Sequence, residues 1–128
     1  MSIGAAADFE FDVAISLLGE DEPFARELEE QVSKVVRGDV FLYSRRKEEL
    51  AITGDLVGRF TEVFRDEARV VVILYRAEWG RTPFTSIEHD AIRARRGRST
   101  DLRWVVVVSM DPPALPDWYP RHRVLAEP

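Results

Sequence analysis

The chain has 128 residues, 45% hydrophobic and 32% charged, with 18 Lys and Arg against 23 Asp and Glu for a formal charge of −5. That length is one domain able to bury a core, the composition excludes a disordered chain, and the negative balance argues against direct nucleic-acid binding. The absence of cysteine excludes disulfides, thiolate nucleophiles and cysteine metal sites.

Residues 1–8 lack the positive and long apolar regions of a signal peptide and read as a flexible N-terminus ahead of a single domain, residues 9–128. Phe9 to Leu18 reads as the first strand, because Phe9, Phe11, Val13 and Ile15 alternate with Glu10, Asp12, Ala14 and Ser16. Gly19 to Pro23 breaks that pattern, with Asp21 as N-cap and Pro23 in the first turn of a helix. Phe24, Leu28, Val32, Val35 and Val36 give this helix an apolar stripe, and Gly38 reads as its stop. Val40 to Tyr43 is a short second strand, and the polar stretch Ser44 to Thr53 reads as a long loop. Gly54 and Asp55 open a second helix with Leu56, Phe60, Val63 and Phe64 on one stripe.

Ala68 to Tyr75 is apolar almost throughout, as a central parallel strand covered on both faces requires. Thr82 and Pro83 start a further helix that carries Phe84, Ile87, Glu88, Ala91 and Ile92 and ends over Arg95 to Thr100. Leu102 to Ser109 is the fourth strand. Pro112, Pro113 and Pro116 stiffen the loop after it, which Trp118 and Tyr119 dock on the body. His122 to Ala126 is at most a short fifth strand. The alternation of strand and helix predicts an α/β fold, a parallel sheet with helices on both faces. The apolar runs Val70 to Tyr75 and Val105 to Val108 are too short to span a bilayer, so the expected location is cytoplasmic, away from membranes.

Glu88 is the candidate for chemistry. It stands four residues after an aromatic, on a helix that opens just past a central strand, and ligands of open α/β sheets bind beyond the carboxyl ends of the strands. The plain alternative is one of 23 acidic residues on a solvated helix face. Glu88, His89 and Asp90 do not form a metal site, because consecutive helical residues point about 100° apart; no metal or cofactor is expected. No Gly-x-Gly-x-x-Gly or phosphate-binding P-loop is present. Asp12 and Asp21 hint at an acidic phosphoacceptor pocket, but Tyr75 stands where the third strand would need an acid. Arg93, Arg95, Arg96, Arg98 and Arg103 form the densest positive patch. It is either a favourable helix C-terminus or a docking surface.

Four blocks in order resemble a Toll/interleukin-1 receptor (TIR) domain of the bacterial type over about Phe9 to Pro112. Phe11 to Ser16 with Gly19 to Asp21 resembles the first strand and the loop after it, and Asp39 to Tyr43 the second strand. Leu50 to Leu56 resembles the end of the assembly loop, and Val71 to Glu88 the third strand with its aromatic-x-x-x-Glu pattern. The chain departs from the family at Phe84, where Trp is usual, at Arg76, often Ser, at Thr53, often Trp, and at Tyr43 and Ser44, where Asp is common.

The resemblance implies a flavodoxin-like three-layer sandwich with a central parallel sheet of four to five strands. It also implies an NAD+ nucleosidase cleaving the nicotinamide–ribose bond, with NAD+ as substrate, no cofactor, and Glu88 at the catalytic position. One carboxylate suffices for that reaction. Ordinary glycoside hydrolysis pairs two so that one can protonate a poor leaving group, whereas nicotinamide leaves NAD+ as a neutral ring. An ionised Glu88 then has only to hold the ribose hydroxyls and offset the positive charge developing on the sugar.

By the same resemblance Ser16, Leu17 and Leu18 border the nicotinamide-ribose pocket, or are merely a buried strand end. Phe84 walls the pocket or packs the core, and Leu56 lines an apolar pocket or belongs to a helix core. Trp79 packs its loop and borders the pocket, and Tyr43 packs or stacks on a ring. Family members of this kind act in immunity and are switched on by self-association through TIR–TIR contacts. The expectation is therefore the N-terminal effector part of a longer antiphage protein with a fused or partner sensor. Two other readings stay open, a non-catalytic TIR interaction module using the Ser44 to Thr53 loop, and a nucleoside deoxyribosyltransferase-like enzyme.

Overall fold

Residues 9–98, 101–112 and 114–120 are described by a computed structural model. The expected flexible N-terminus, the end of the helix at residues 99–100 and the fifth strand at 122–126 lie outside them. Four parallel strands make one sheet, β1 (Phe11–Ser16), β2 (Asp39–Phe41), β3 (Ala68–Tyr75) and β4 (Val105–Ser109), in the order β2-β1-β3-β4. Helices cover both faces, so the fold is the expected α/β three-layer sandwich.

Helix α1 (Glu22–Ser33) lies on one face, where Ala25, Phe24, Leu28 and Val32 pack on Val13, Ile15, Val40, Leu42 and Leu74. The other face carries α2 (Lys47–Thr53), α3 (Leu56–Glu62) and α4 (Pro83–Arg98), which enclose Phe41, Phe60, Phe64, Val71, Ile73, Ala91 and Ile92. Each strand of β1 and β3 therefore has side chains buried on both faces, which is why β3 reads as an unbroken apolar run. Among the described residues, no helix is long and apolar enough to cross a membrane.

Three expectations are corrected. The first strand is shorter than Phe9 to Leu18, because Leu17 and Leu18 turn away into a 3-10 turn at Gly19–Asp21. The first helix ends at Ser33 rather than at Gly38. Gly38 instead donates its N–H to the Asp12 carboxylate at 2.7 Å, in a turn tight enough that an added Cβ would lie 3.0 Å from that carboxyl carbon. Most consequential, Ser44 to Thr53 is not a long loop. It continues a 3-10 turn (Tyr43–Arg45) and then forms α2. The helix is built from strong helix formers (Lys47, Glu48, Leu50 among them), is anchored by buried Leu50, and is closed by Gly54 in the left-handed conformation at φ 72°. Two turns, with Leu50 as the buried anchor among the described side chains, are too short for a periodicity to register.

The arginine run is largely absorbed by the fold. Arg95 donates to the Ala68 carbonyl at 2.6 Å and covers the Trp104 ring, Arg96 stacks on Trp118 at 4.3 Å, and Arg98 reaches the Arg65 carbonyl and Asp66, both at 2.9 Å. Tyr119 is buried and Trp118 half-buried, so the segment after β4 is docked on the body as expected.

Candidate functional site

Two sequence features aim the site residues. The strand β1 ends at Ser16, beyond the last β2 partner pair, Ala14 with Phe41, so its hydroxyl stands at the carboxyl edge of the sheet. Helix α4 begins with a reciprocal cap. Thr82 Oγ1 accepts from the Thr85 N–H, Thr85 Oγ1 accepts from the Thr82 and Gly80 N–H groups, and Pro83 fills the first position, where no N–H is needed. Pinned in this way, α4 turns Phe84 and Glu88, one helical turn apart, toward the ends of β1 and β2.

Glu88 is 5% exposed and accepts a hydrogen bond from Ser16 Oγ at 2.6 Å, while Ser16 Oγ in turn accepts one from the Trp79 indole N–H at 2.7 Å. Burial pushes the Glu88 carboxyl up to about 8, and the Ser16 bond only partly opposes this. At that burial Glu88 is not on a solvated helix face, so the plain surface reading is excluded. Ionised Glu88 is thus not the resting form at neutral pH; about one molecule in ten carries the charge.

A cavity of about 230 Å³ opens in front of Glu88, walled by Leu17, Gly19, Tyr43, Phe60 and Phe84. Its aromatic wall is continuous, with Tyr43 5.4 Å from Phe84, Phe60 5.6 Å from Phe84 and Tyr43 5.3 Å from Phe60. Glu22 and Lys47 stand on the same cavity and give it one acidic and one basic group, and Lys47 lies over the Tyr43 ring. Larger clefts exist elsewhere. One of about 420 Å³ sits among Arg65, Arg95, Arg98 and Trp104 at the opposite end of the strands, but neither it nor the cleft around Arg45 to Glu48 holds a buried acid or base.

The structure brings together Glu88, Ser16, Leu17, Tyr43 and Phe84, with Trp79 behind them through Ser16. It does not bring in Leu18, which is buried beside the 3-10 turn, or Leu56, which packs against the main core; neither lines the cavity. Phe84 is neither plain core nor fully sheltered, being 44% exposed at the cavity mouth. Sequence reasoning missed Phe60, Glu22 and Lys47. Phe60 sat on an apolar helix stripe and was indistinguishable from core, which it also is. Lys47 was assigned to a loop.

Arg76, where the chain departs from the pattern it resembles, has a structural partner. Its guanidinium donates to both carboxylate oxygens of Asp21, at 2.9 and 2.8 Å, and Asp21 is 3% exposed. The same Asp21, expected as a helix cap, does not cap α1 with its side chain; the fork of Arg76 holds it instead. This pair ties the Gly19–Asp21 turn, one wall of the cavity, to the end of β3. Arg76→Ala is expected to lower the denaturation midpoint and raise KM for a cavity ligand more than it lowers kcat. A variant with unchanged KM and unchanged melting would show that the turn is held by other contacts.

In comparisons with known proteins, no protein-family model matches the chain and no curated protein matches it.

Proposed function

We propose that the protein is a TIR-type NAD+ nucleosidase that cleaves the bond between nicotinamide and ribose. The observation that carries this reading is the buried carboxyl of Glu88, hydrogen-bonded from one side by Ser16 and facing an aromatic cavity at the carboxyl edge of a parallel sheet. At about 230 Å³ the cavity is smaller than the usual 300–1,000 Å³ of small-molecule sites, so it suits the nicotinamide riboside end of the dinucleotide rather than the whole molecule.

The protonation of Glu88 becomes part of the mechanism. A cationic nicotinamide ring entering an apolar cavity favours the charged form of a neighbouring carboxyl, so substrate binding expels the proton and leaves the carboxylate opposite the incoming charge. As the C–N bond breaks, positive charge moves from the ring to the ribose, and the carboxylate stabilises it there. Nicotinamide departs as a neutral molecule, and water completes the hydrolysis at the anomeric carbon. Ser16 holds the carboxylate in place, and Trp79 holds Ser16.

A second reading, a non-catalytic interaction module, is favoured by the exposed hydrophobics Ile52 and Val57, 86% and 58% exposed on α2 and α3. Such side chains suit contact with another copy of the domain, a self-association that the catalytic reading also accommodates, so turnover separates the two readings. The family context makes antiphage defence through NAD+ depletion, with a fused or partner sensor, the proposed setting.

The test is NAD+ loss and nicotinamide release by the domain at high concentration, with assembly followed by light scattering. Because the carboxylate is the working form, kcat/KM should rise with pH and level off above the free-enzyme value near 8. Assembly without any turnover would leave only the interaction module. Turnover with a flat profile from pH 6 to about 9 would remove Glu88 as the titrating group.

A further inference from the structure

Glu88 and His89 are neighbours on α4 and point about 100° apart, so each faces a different cavity. His89 lines a cleft of about 460 Å³ between the β3–α4 loop and the segment after β4, together with Tyr75, Trp79, Arg81, Asp117 and Trp118. This cleft shares no lining residue with the Glu88 cavity. Its volume is within the usual range for a small-molecule site.

The lining is chemically specific. Trp79, 5% exposed, meets the half-buried rings of Tyr75 at 6.0 Å and, edge-on, His89 at 5.6 Å. Trp118 also lines the cleft, with Arg96 stacked on its ring at 4.3 Å. At the rim are the exposed guanidinium of Arg81, without a salt bridge among the described residues, and the exposed carboxylate of Asp117. Gly80, at φ 91°, lets the loop close against the His89 ring, where an added Cβ would already lie at 3.5 Å. The half-buried rings of Tyr75, His89 and Trp118 offer a planar base an aromatic surface. A guanidinium takes a phosphate, and a carboxylate accepts from ribose hydroxyls or an exocyclic amine.

We propose that this cleft is a second ligand site, for a purine nucleoside monophosphate, and that its occupancy is communicated to Glu88 through the Trp79 indole and Ser16. The path is physical and short. The Trp79 indole, packed against Tyr75 and His89, donates its N–H to Ser16 Oγ at 2.7 Å, and Ser16 donates to Glu88 at 2.6 Å. A base seated on Tyr75 and His89 cannot displace the buried indole behind them without moving the hydrogen bond that orients Ser16. The inference stands on the cleft itself and does not require that the first cavity cleave NAD+.

The experiment is calorimetric titration of the protein with AMP, repeated on Arg81→Ala, Trp118→Ala and Glu88→Gln. Binding is expected in the wild type, weakened about tenfold or more by Arg81→Ala and by Trp118→Ala, and unchanged by Glu88→Gln. Arg81 is exposed, so its variant tests the site even if Trp118→Ala unfolds the docked segment. No binding at millimolar AMP overturns the site. Weakening by Glu88→Gln but not by Arg81→Ala also overturns it, by assigning AMP to the other cavity. The communication is read by NMR. AMP should move the Trp79 indole N–H and the Glu88 carboxyl carbon together in the wild type, and only the former in Ser16→Ala. Equal movement of the Glu88 signal in both proteins overturns the path.

Discussion

Glu88→Gln is expected to reduce the proposed NAD+ cleavage by at least about 100-fold, in line with the loss of one preorganised charge-stabilising group, while making the folded protein more stable at alkaline pH. The second half of this result follows from linkage. The native carboxyl titrates near 8 and the unfolded one near 4.5, because folding buries it. Below about pH 4.5 both states hold the proton and stability is at its fullest. Between those values the unfolded chain releases a proton that the native chain keeps, so stability falls as pH rises, and it is lost once pH passes the folded value. At 1.36 kcal/mol per pH unit the total is on the order of 4–5 kcal/mol. Glutamine keeps an acceptor for Ser16 and carries no charge to bury. Urea melts of both proteins at pH 5 and 9 provide the check. The variant should match the wild type within about 1 kcal/mol at the lower pH and exceed it by a few at the higher. Parallel pH slopes for the two proteins would mean that Glu88 is not the buried titrating group. Loss of activity together with loss of the fold at both pH values would make Glu88 structural rather than catalytic.

Phe41→Ala is expected to destabilise the domain by about 3–5 kcal/mol, the usual cost of removing a fully buried aromatic side chain. Phe41 is 1% exposed and meets Phe11 at 5.3 Å, Phe64 at 6.0 Å and Phe60 at 6.1 Å, all near edge-on, the arrangement in which ring quadrupoles attract. It is also the last residue of β2, an edge strand of three residues. A strand that short has little hydrogen bonding of its own to hold it and depends on this side chain. Against a total stability of about 5–15 kcal/mol for a domain of this kind, the loss is a large share, and the thermal midpoint should fall by roughly 10–20 °C. The effect reaches the cavity as well, since Phe60 packs between Phe41 and Phe84. A loss under about 1 kcal/mol would mean that the cluster collapses to refill the space, and the aromatic core would then be less tightly specified than its geometry indicates.

Much of the architecture was legible from local pattern. The β3 boundaries came out residue for residue because an apolar run with both faces buried is a strong signal, and the stripe expected after Asp55 appeared across α3 and the helical turn that follows it, with Phe60, Val63 and Phe64 buried. Glu88 was legible as a site candidate from its place after a central strand and its spacing from Phe84. Lys47 was not, because the helix that presents it is only two turns long and shows no visible period. Phe60 was seen but misassigned, because a residue that is at once core and cavity wall gives only the core signal.

Alternation and helical spacing by themselves determined a parallel α/β sheet with helices on both faces, and put one carboxylate at the carboxyl edge of it. These are properties of neighbouring residues, which backbone periodicity exposes. Only the tertiary structure decided what that carboxylate is. Ser16 and Glu88 are 72 residues apart, Trp79 and Ser16 63, and Arg76 and Asp21 55. Whether a glutamate is solvated and charged or buried and protonated depends on such distant partners, because desolvation is set by everything packed around the group and not by the helix that carries it.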